Sequence, residues 1–310
     1  MKHAVGSAPG KIILMGEHSV VYGKPAIAMP FHHVGVKCTV EPHQGDLIIK
    51  SYCFDGLVKM MPKTLKGIQK LIEATLDYLD KESKDLKIII ESTIPAQRGL
   101  GSSAAVSVAI VRALFNAFEI ELDFKTLNEL VFVAESIHHK NPSGLDANTI
   151  LNERFVMFDI EKGISFIDAK LQGFLVIADT GQVGHTKVSV DNVRKQLESN
   201  PKETIETIDA LGRLTMLAKG CILNDDLECL GKYMHESHYL LKKLGVSDHI
   251  LDTMVDVSML HGSLGAKLTG GGNGGSIIAL AKTMVDAKNI SDALIAQNAA
   301  HTWIYHLSEV

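Results

Sequence analysis

The feature that most constrains this chain is a turn rich in glycine and serine, residues 94–105, which runs directly into a long apolar segment. Gly99 and Gly101 allow the backbone to approach a ligand closely, and Ser102 and Ser103 supply hydroxyl groups. The first N–H groups of a helix lack partners within the helix and carry partial positive charge. The turn therefore predicts a phosphate site at the start of a buried helix, and an ordinary N-cap after a loop is the alternative.

Composition narrows the class of protein. The 310 residues leave room for two domains, and 46% hydrophobic with 22% charged residues is the balance of a globular protein. The net charge of -5 argues against nucleic acid or an anionic membrane surface as a partner, and no uninterrupted apolar run is long enough to span a membrane. Four scattered cysteines without metal-ligand spacing, and no signal peptide, predict free thiols and a cytoplasmic location.

Apolar patterning predicts an order of elements around this turn. Residues 5–15 form a predicted strand that carries Lys11, and residues 20–22 resume as a second strand after a bend that holds Glu17 and His18. The bend is either the solvated tip of a hairpin or a binding loop on a rigid scaffold. Further strands are predicted at residues 33–40, 46–51, 86–92, 155–158, 165–167 and 175–179, and helices at residues 65–79, 102–118, 126–140 and 284–298.

The second half of the chain is predicted to be mainly helical from residue 189 to residue 260, with a break at Gly245. A second glycine loop at residues 266–275, with five glycines in the last six positions, precedes another strand. Glycine loses more backbone entropy on folding than other residues, and an ordinary turn does not need five of them. The loop is therefore expected to have a function beyond reversing the chain. We place the two domains at residues 1–168 and 169–310.

Neither glycine loop has the spacing of a P-loop or of a dinucleotide-binding turn, so phosphate must be held in another way. Phosphoryl transfer needs a phosphate cradle, a divalent cation, a positive group and an acceptor for the hydroxyl proton. Lys11 supplies a cation, Glu135 and the hydroxyls of Ser102 or Ser103 are oxygen ligands suited to Mg²⁺, and Asp146, in a turn of small residues, can accept a proton. Each of the charged residues also has an ordinary structural explanation. Lys11 could be a charge at the edge of a strand, Glu135 a surface carboxylate and Asp146 a solvated helix cap.

Three stretches resemble the three motifs of the GHMP kinase superfamily, in the same order: residues 9–23, 95–105 and 267–275. The Gly-Glu-His-Ser-Val-Val-Tyr-Gly form of the first motif, together with the segment 141–146, resembles the mevalonate kinases of that superfamily. The resemblance implies an α+β fold with an N-terminal domain like domain 2 of ribosomal protein S5 and a C-terminal ferredoxin-like domain. It also implies ATP-dependent phosphorylation of the primary hydroxyl of (R)-mevalonate in isoprenoid biosynthesis, with ATP, Mg²⁺ and a homodimer.

The resemblance also implies roles for individual residues. Asp146 is expected to be the catalytic base and Lys11 its partner, while Ser103 and Glu135 are expected to bind Mg²⁺. The residues expected to line the substrate pocket are Glu17, His18, Thr180 and Gly271. The residues expected to bind the nucleotide are Pro95, Gly99, Leu100, Gly101, Ser102, Ser103, Ala104 and Ala105. Asn273 stands where the third motif usually has glycine, and asparagine tolerates the left-handed conformation that this loop requires.

Other activities of the superfamily fit the sequence less well. Galactokinases continue the Gly-Glu-His step with an acidic, aromatic segment that this chain lacks, and homoserine kinases lack the step. Phosphomevalonate kinase is the nearest enzymatic rival, and a catalytically silent sensor on a kinase scaffold is the alternative from another class. Because Lys11, Glu135 and Asp146 are all present, the sequence favours an active kinase.

Overall fold

The structure is a computed structural model that describes residues 2–138, 144–152, 154–169 and 171–310, and only the main chain of Glu135 and His138. The chain divides into two compact units. The first unit comprises Met1–Lys11, Pro30–Pro95 and Gly101–Glu153, and the second comprises Ile12–Met29, Ala96–Leu100 and Arg154–Val310. Both units draw on separated segments, and the division at residues 168 and 169 remains a proposal.

The first unit is a sheet covered by helices. Its strands are β1 (Ala4–Met15), β2 (Ala26–Asp46), β3 (Ile48–Lys50), β4 (Asp55–Leu57) and β5 (Lys84–Ser92), of which β1 and β2 also supply residues to the second unit. Its helices are α1 (Lys66–Tyr78), α2 (Ser102–Phe118), α3 (Phe124–His138) and α4 (Leu145–Asn152). The strands follow the order β4-β3-β5-β2, with β1 also paired to β2, and β3 lies parallel to β5. Two short 3-10 helices precede α1 at Val58–Met60 and Lys63–Leu65.

Helix α2 lies at the centre of the first unit. It is apolar on almost all of its faces, so it is buried on almost all of them. It packs against α1, α3 and α4, and most of its residues are fully buried. Strand β1 also lies directly on it: a Cβ added to Gly6 would come within 2.3 Å of the amide nitrogen of Ala113 and 2.4 Å of the Ala109 carbonyl oxygen. The predicted bounds of this helix are confirmed, and only glycine at position 6 allows β1 to approach it so closely.

The second unit packs helices against an antiparallel sheet. Its strands are β6 (Val156–Asp159), β7 (Gly163–Phe166), β8 (Phe174–Asp179), β9 (Gly265–Thr269), β10 (Ser276–Ala281) and β11 (His301–His306). Its helices are α5 (Thr186–Ser199), α6 (Pro201–Leu223), α7 (Leu227–Lys243), α8 (His249–Leu260) and α9 (Met284–Ala296). The main sheet has the order β11-β8-β10-β9, and β6 pairs with β7 and with the first residues of β2. Two 3-10 helices belong to this unit, at Ser19–Tyr22 and Leu307–Glu309.

The structure corrects the prediction in several places. Residues 20–22 form a 3-10 helix instead of a strand, because the Val20 amide donates to the Gly16 carbonyl and the Val21 amide to the His18 carbonyl, each at 3.1 Å. Residues 266–269 belong to strand β9 rather than to the glycine loop. The helical stretch breaks at Gly245, as predicted, and also near residues 200 and 224–226.

Two further findings concern cysteines and membranes. All four cysteines lie in the described part of the chain and are free, as predicted. Within the residues that the structure describes, no helix combines the length and apolarity that crossing a bilayer requires. The predicted end of α3, at residue 140, lies outside the described residues.

Candidate active site

A lysine and an aspartate predicted to share the site form an ion pair in the first unit. The Nζ atom of Lys11, on β1, lies 2.9 Å from Oδ1 of Asp146. The Lys11 side chain is 4% exposed, whereas that of Asp146 is 41% exposed. The Asp146 carboxylate is therefore accessible to solvent, and the buried ammonium group of Lys11 fixes its orientation. Asp146 lies in the first turn of α4 and not in a turn as predicted, and the helix N-terminus favours its negative charge.

Gly101 joins this pair to the start of α2. Its φ of 79° is left-handed, and an added Cβ would lie 2.5 Å from Cγ of Lys11. The missing side chain thus provides the space in which Lys11 reaches Asp146. The N-cap residue of α2 is Gly101, which has no side chain to accept from the first N–H groups of the helix, at Ser102, Ser103 and Ala104. This is the arrangement that holds an anion.

The predicted metal ligands are only partly described. Ser103 is exposed at the start of α2 and its carbonyl accepts a hydrogen bond from Ser107. Glu135 lies on α3, and its side chain falls outside the described residues. Among the side chains that the structure does describe, no group of three His, Cys, Asp or Glu residues could hold a metal ion. A Mg²⁺ ion bound through one or two protein oxygens, phosphates and water needs no such group.

In the second unit, Glu17 forms a fully buried ion pair with Lys267 of β9. Both side chains are 0% exposed, and Nζ of Lys267 also donates to the Leu268 carbonyl at 2.7 Å. Burial lowers the pKa of Lys267, and the Glu17 carboxylate opposes that shift. Glu17 therefore ties the bend after β1 to the strand that leads into the glycine loop. The alternative of a solvated hairpin tip is wrong for this bend.

His18, the next residue, contacts the glycine loop. Its Nε2 lies 3.0 Å from the Gly271 carbonyl oxygen, and because a carbonyl only accepts, Nε2 carries the proton. The backbone of His18 is left-handed, with φ of 58°, so the side chain is held by a sharp bend. Burial lowers the pKa of His18 to about 4, and the nearby Lys267 charge acts in the same direction. The imidazole is therefore neutral at physiological pH.

This lowered pKa makes folding stability depend on pH. The His18 pKa is about 4 in the folded chain and 6.5 when unperturbed, so the unfolded state binds more protons between these values and stability falls as pH drops through them. The variant His18→Gln keeps a donor for the Gly271 carbonyl but cannot take up a proton. When the pH is lowered from about 7.5 to about 5, its free energy of unfolding, measured with urea, should fall by about 2 kcal/mol less than that of the unmodified chain. The exposed control His3→Gln should keep the unmodified pH dependence. Equal pH dependence in both variants would contradict the assignment.

The glycine loop lines a cleft in the second unit, with a volume of about 360 Å³. Gln97, Arg98 and Gly99 also line this cleft, as does Gly271. Asn273 adopts a φ of 47°, which confirms that asparagine takes the left-handed conformation here. Other predicted residues lie near the same loop. The hydroxyl of Thr180 donates to the Gly275 carbonyl at 2.7 Å, so Thr180 helps to fix the loop.

The structure thus gathers the predicted residues into two groups. Lys11, Gly101 and Asp146 lie together in the first unit, and Glu17 and His18 contact β9 and the glycine loop in the second. Of the remaining predicted nucleotide residues, Pro95, Ser102, Ser103, Ala104 and Ala105 belong to the first unit, and Gly99 and Leu100 to the second.

Sequence reasoning missed Lys267 and the pair of Arg98 with Asp179, whose Nε and Oδ1 atoms lie 2.6 Å apart. A lone lysine between Ala266 and Leu268 in an apolar strand was the available signal for the first.

Comparisons with known proteins identify the family of the chain. The sequence model of the GHMP kinases N terminal domain matches residues 66–152, and that of the GHMP kinases C terminal domain matches residues 218–300. The mevalonate kinase of Pyrococcus furiosus is 33% identical over 302 residues, which cover 89% of this chain and 89% of the relative. That of Pyrococcus horikoshii is 34% identical and covers 91% of this chain and 89% of its own length.

A solved structure gives the same result. The crystal structure of L. major mevalonate kinase in complex with R-mevalonate is 27% identical, covers 98% of this chain and 95% of its own, and aligns with a TM-score of 0.83. These matches confirm the predicted two-domain α+β fold. This chain belongs to the GHMP kinase family, and within it to the mevalonate kinases.

Proposed function

We propose that this enzyme transfers the γ-phosphoryl group of ATP to the primary hydroxyl of (R)-mevalonate, giving 5-phosphomevalonate and ADP. Membership of a kinase family implies the use of ATP. The substrate follows from relatives that are mevalonate kinases over most of the chain, one of them solved with R-mevalonate. The observation that carries the chemistry is the pair of buried Lys11 and accessible Asp146 beside the uncapped start of α2.

The reaction uses Asp146 as the proton acceptor. The hydroxyl of mevalonate donates its proton to the Asp146 carboxylate as its oxygen bonds to the γ-phosphorus, and the bond from that phosphorus to the β,γ-bridging oxygen breaks to release ADP. Lys11 holds the carboxylate in one orientation through Oδ1, at 2.9 Å, and its positive charge favours negative charge building up nearby. Most of the rate comes from positioning and electrostatics, because the transition state is loose.

Phosphate and Mg²⁺ would be held at the start of α2. The N–H groups of Ser102, Ser103 and Ala104 fit phosphate oxygens, since the N-cap residue Gly101 has no side chain to accept from them. Ser103 and Glu135 are the proposed protein ligands of Mg²⁺. When bound, Mg²⁺ would neutralise charge on the phosphates and orient them.

Substrate selection is proposed to involve His18, Thr180 and Gly271, with Glu17 beside them. His18 is neutral and already donates to the Gly271 carbonyl, and Thr180 donates to Gly275, so these side chains would act from fixed positions. Glu17 is fully buried against Lys267 and would act through that pair. A homodimer is proposed from family resemblance alone, and a cytoplasmic location from the four free cysteines.

Ser103→Ala should weaken binding of Mg-ATP because it removes one proposed oxygen ligand of the metal. The KM for Mg-ATP is expected to rise roughly tenfold, with the KM for mevalonate nearly unchanged. Ser83→Ala, at an exposed position of the same unit, is the matched control and should leave both values unchanged. If both variants gave the same KM for Mg-ATP, Ser103 would have no role in holding the metal-bound nucleotide.

Product analysis tests the proposed reaction. With Mg-ATP and (R)-mevalonate, phosphorus NMR should show one new phosphate monoester on the primary hydroxyl for each ADP released. ADP released with free phosphate, or a monoester on the tertiary hydroxyl, would contradict the proposal.

A further inference from the structure

Arg98 lies inside the predicted nucleotide loop, yet its guanidinium is directed at the protein. Its Nε donates to Oδ1 of Asp179 at 2.6 Å, and the two side chains are 14% and 8% exposed. Its Nη1 donates to the Ala96 carbonyl at 3.1 Å and its Nη2 to the Gly181 carbonyl at 2.9 Å. All three nitrogens of the guanidinium thus have a protein acceptor. Arg98 is therefore placed to act through the backbone of the loop, not as a direct phosphate ligand.

Asp179, which accepts the hydrogen bond from Arg98, is itself held in a fixed position. It is the last residue of β8, which lies between β11 and β10 in the sheet of the second unit. The same Oδ1 atom accepts the Gly181 amide at 2.8 Å, which fixes the carboxylate rotamer. The Arg98 side chain therefore connects residues 96–98 to the end of a central strand and to the turn that follows it.

The backbone around Arg98 adopts conformations that need such support. Gln97 has a left-handed φ of 58°, which is unfavourable for a non-glycine residue. Its carbonyl accepts the Gly184 amide at 2.8 Å, and the Arg98 carbonyl accepts the Ser276 hydroxyl at 3.3 Å. Gly99 follows at a φ of 78°, and an added Cβ there would lie 3.2 Å from Cα of Gly270. Residues 97–99 thus lie against the glycine loop, with Gln97 in a conformation that is unfavourable for a non-glycine residue.

We propose that Arg98 and Asp179 form a clamp that keeps residues 97–100 in the conformation that binds nucleotide. Arg98 is then a positioning residue for the kinase reaction. This inference rests on the proposed function, because it takes Gly99 and Leu100 as part of the nucleotide loop. Without the clamp, the loop samples other conformations, and nucleotide binding must select the competent one, which reduces the apparent affinity by the competent fraction.

The clamp predicts a selective loss of nucleotide affinity. Titration calorimetry of Mg-ATP without mevalonate should give a Kd about tenfold or more higher for Arg98→Ala than for the unmodified enzyme. In turnover assays the KM for mevalonate should change less than about threefold, because the clamp acts on nucleotide binding. The control is Arg154→Ala, which removes an exposed arginine paired with Asp168 in the same unit. This control should leave the Kd for Mg-ATP unchanged.

Two further variants separate positioning from simple loss of stability. Asp179→Asn keeps an oxygen acceptor for Arg98 and should retain more Mg-ATP affinity than Asp179→Ala. Because the clamp depends on the contact between these two residues, the double variant Arg98→Ala/Asp179→Ala should lose less Mg-ATP affinity than the sum of the two single losses. Additive losses, or a Kd for Arg98→Ala equal to that of Arg154→Ala, would overturn the clamp.

The binding measurement also distinguishes this inference from the proposed function. A selective change in Kd without any turnover of mevalonate would support the clamp and reject the proposed substrate. Normal turnover of mevalonate by an Arg98→Ala variant with unchanged Kd would reject the clamp and leave the substrate assignment intact.

Discussion

Asp146→Asn should lower kcat at least about a hundredfold while the Kd for Mg-ATP stays close to that of the unmodified enzyme. The amide has the shape of the carboxylate but cannot accept a proton, and it loses the charge attraction to Lys11, whose Nζ lies 2.9 Å away. Rapid-quench measurement of phosphoryl transfer, together with calorimetric titration of Mg-ATP, would measure the two effects separately.

The matched control is Asp77→Asn, an exposed aspartate on α1 in the same unit, and it should leave kcat unchanged. Lys11→Met should also lower kcat, and the double variant Lys11→Met/Asp146→Asn should be little slower than the slower single variant, since the two residues act together. A kcat for Asp146→Asn within a few fold of the unmodified value would remove Asp146 from the chemistry.

Lys267→Met should destabilise the folded chain by about 3 to 5 kcal/mol, because it leaves the Glu17 carboxylate buried without its cation. Both side chains are 0% exposed, so water cannot replace the lost partner without opening the packing around β9. Urea unfolding followed by circular dichroism measures the loss. Acquisition of a proton by Glu17 would limit the loss, which should therefore be smaller at acidic pH than at neutral pH.

Two comparisons make this result specific. Lys282→Met removes an exposed lysine that is paired with Glu228 in the same unit, and it should cost less than about 1 kcal/mol. The double variant Glu17→Gln/Lys267→Met removes both charges and should recover much of the stability that Lys267→Met loses. If Lys267→Met unfolded at the same urea concentration as Lys282→Met, the buried pair would not hold the bend to β9.

The elements that the sequence predicts well are those fixed by local pattern. Helix α2 begins at Ser102 and ends at Phe118 as expected, because glycine precedes a continuous apolar segment and a left-handed Glu119 ends it. The strands predicted at residues 155–158 and 165–167 overlap β6 and β7, which pair as an antiparallel hairpin. The break at Gly245 follows from its φ of 70°.

The features that were missed depend on tertiary contacts. Residues 20–22 have the composition of a strand, but the sharp bend at His18 and hydrogen bonds to preceding carbonyls wind them into a 3-10 helix. Glu17 and Lys267 are separated by 250 positions, so no local period could pair them. Asp146 was expected in a turn because glycine and small residues surround it, whereas the apolar residues that follow it continue a helix.

Only part of the candidate site could be predicted from the sequence, because its contacts join residues that are far apart in the chain. Lys11 and Asp146 could be proposed as partners only through the family motifs, and the ion pair of 2.9 Å brings the two residues together. Arg98 stands within a recognised motif but has no role that the motif specifies, and its contacts with Asp179 and Gly181 emerge only from the folded second unit. Motifs therefore indicated which segments matter, and the contacts within each unit indicate how they are held.

The identity of the alcohol that accepts the phosphoryl group tests the proposed function most directly. A coupled ADP-release assay with Mg-ATP should compare (R)-mevalonate, 5-phosphomevalonate, galactose and homoserine at equal concentrations. Turnover with (R)-mevalonate at a kcat/KM at least about a hundredfold above the other three is the predicted result. A higher kcat/KM for 5-phosphomevalonate, or no turnover of any of the four by an enzyme that binds Mg-ATP, would contradict it.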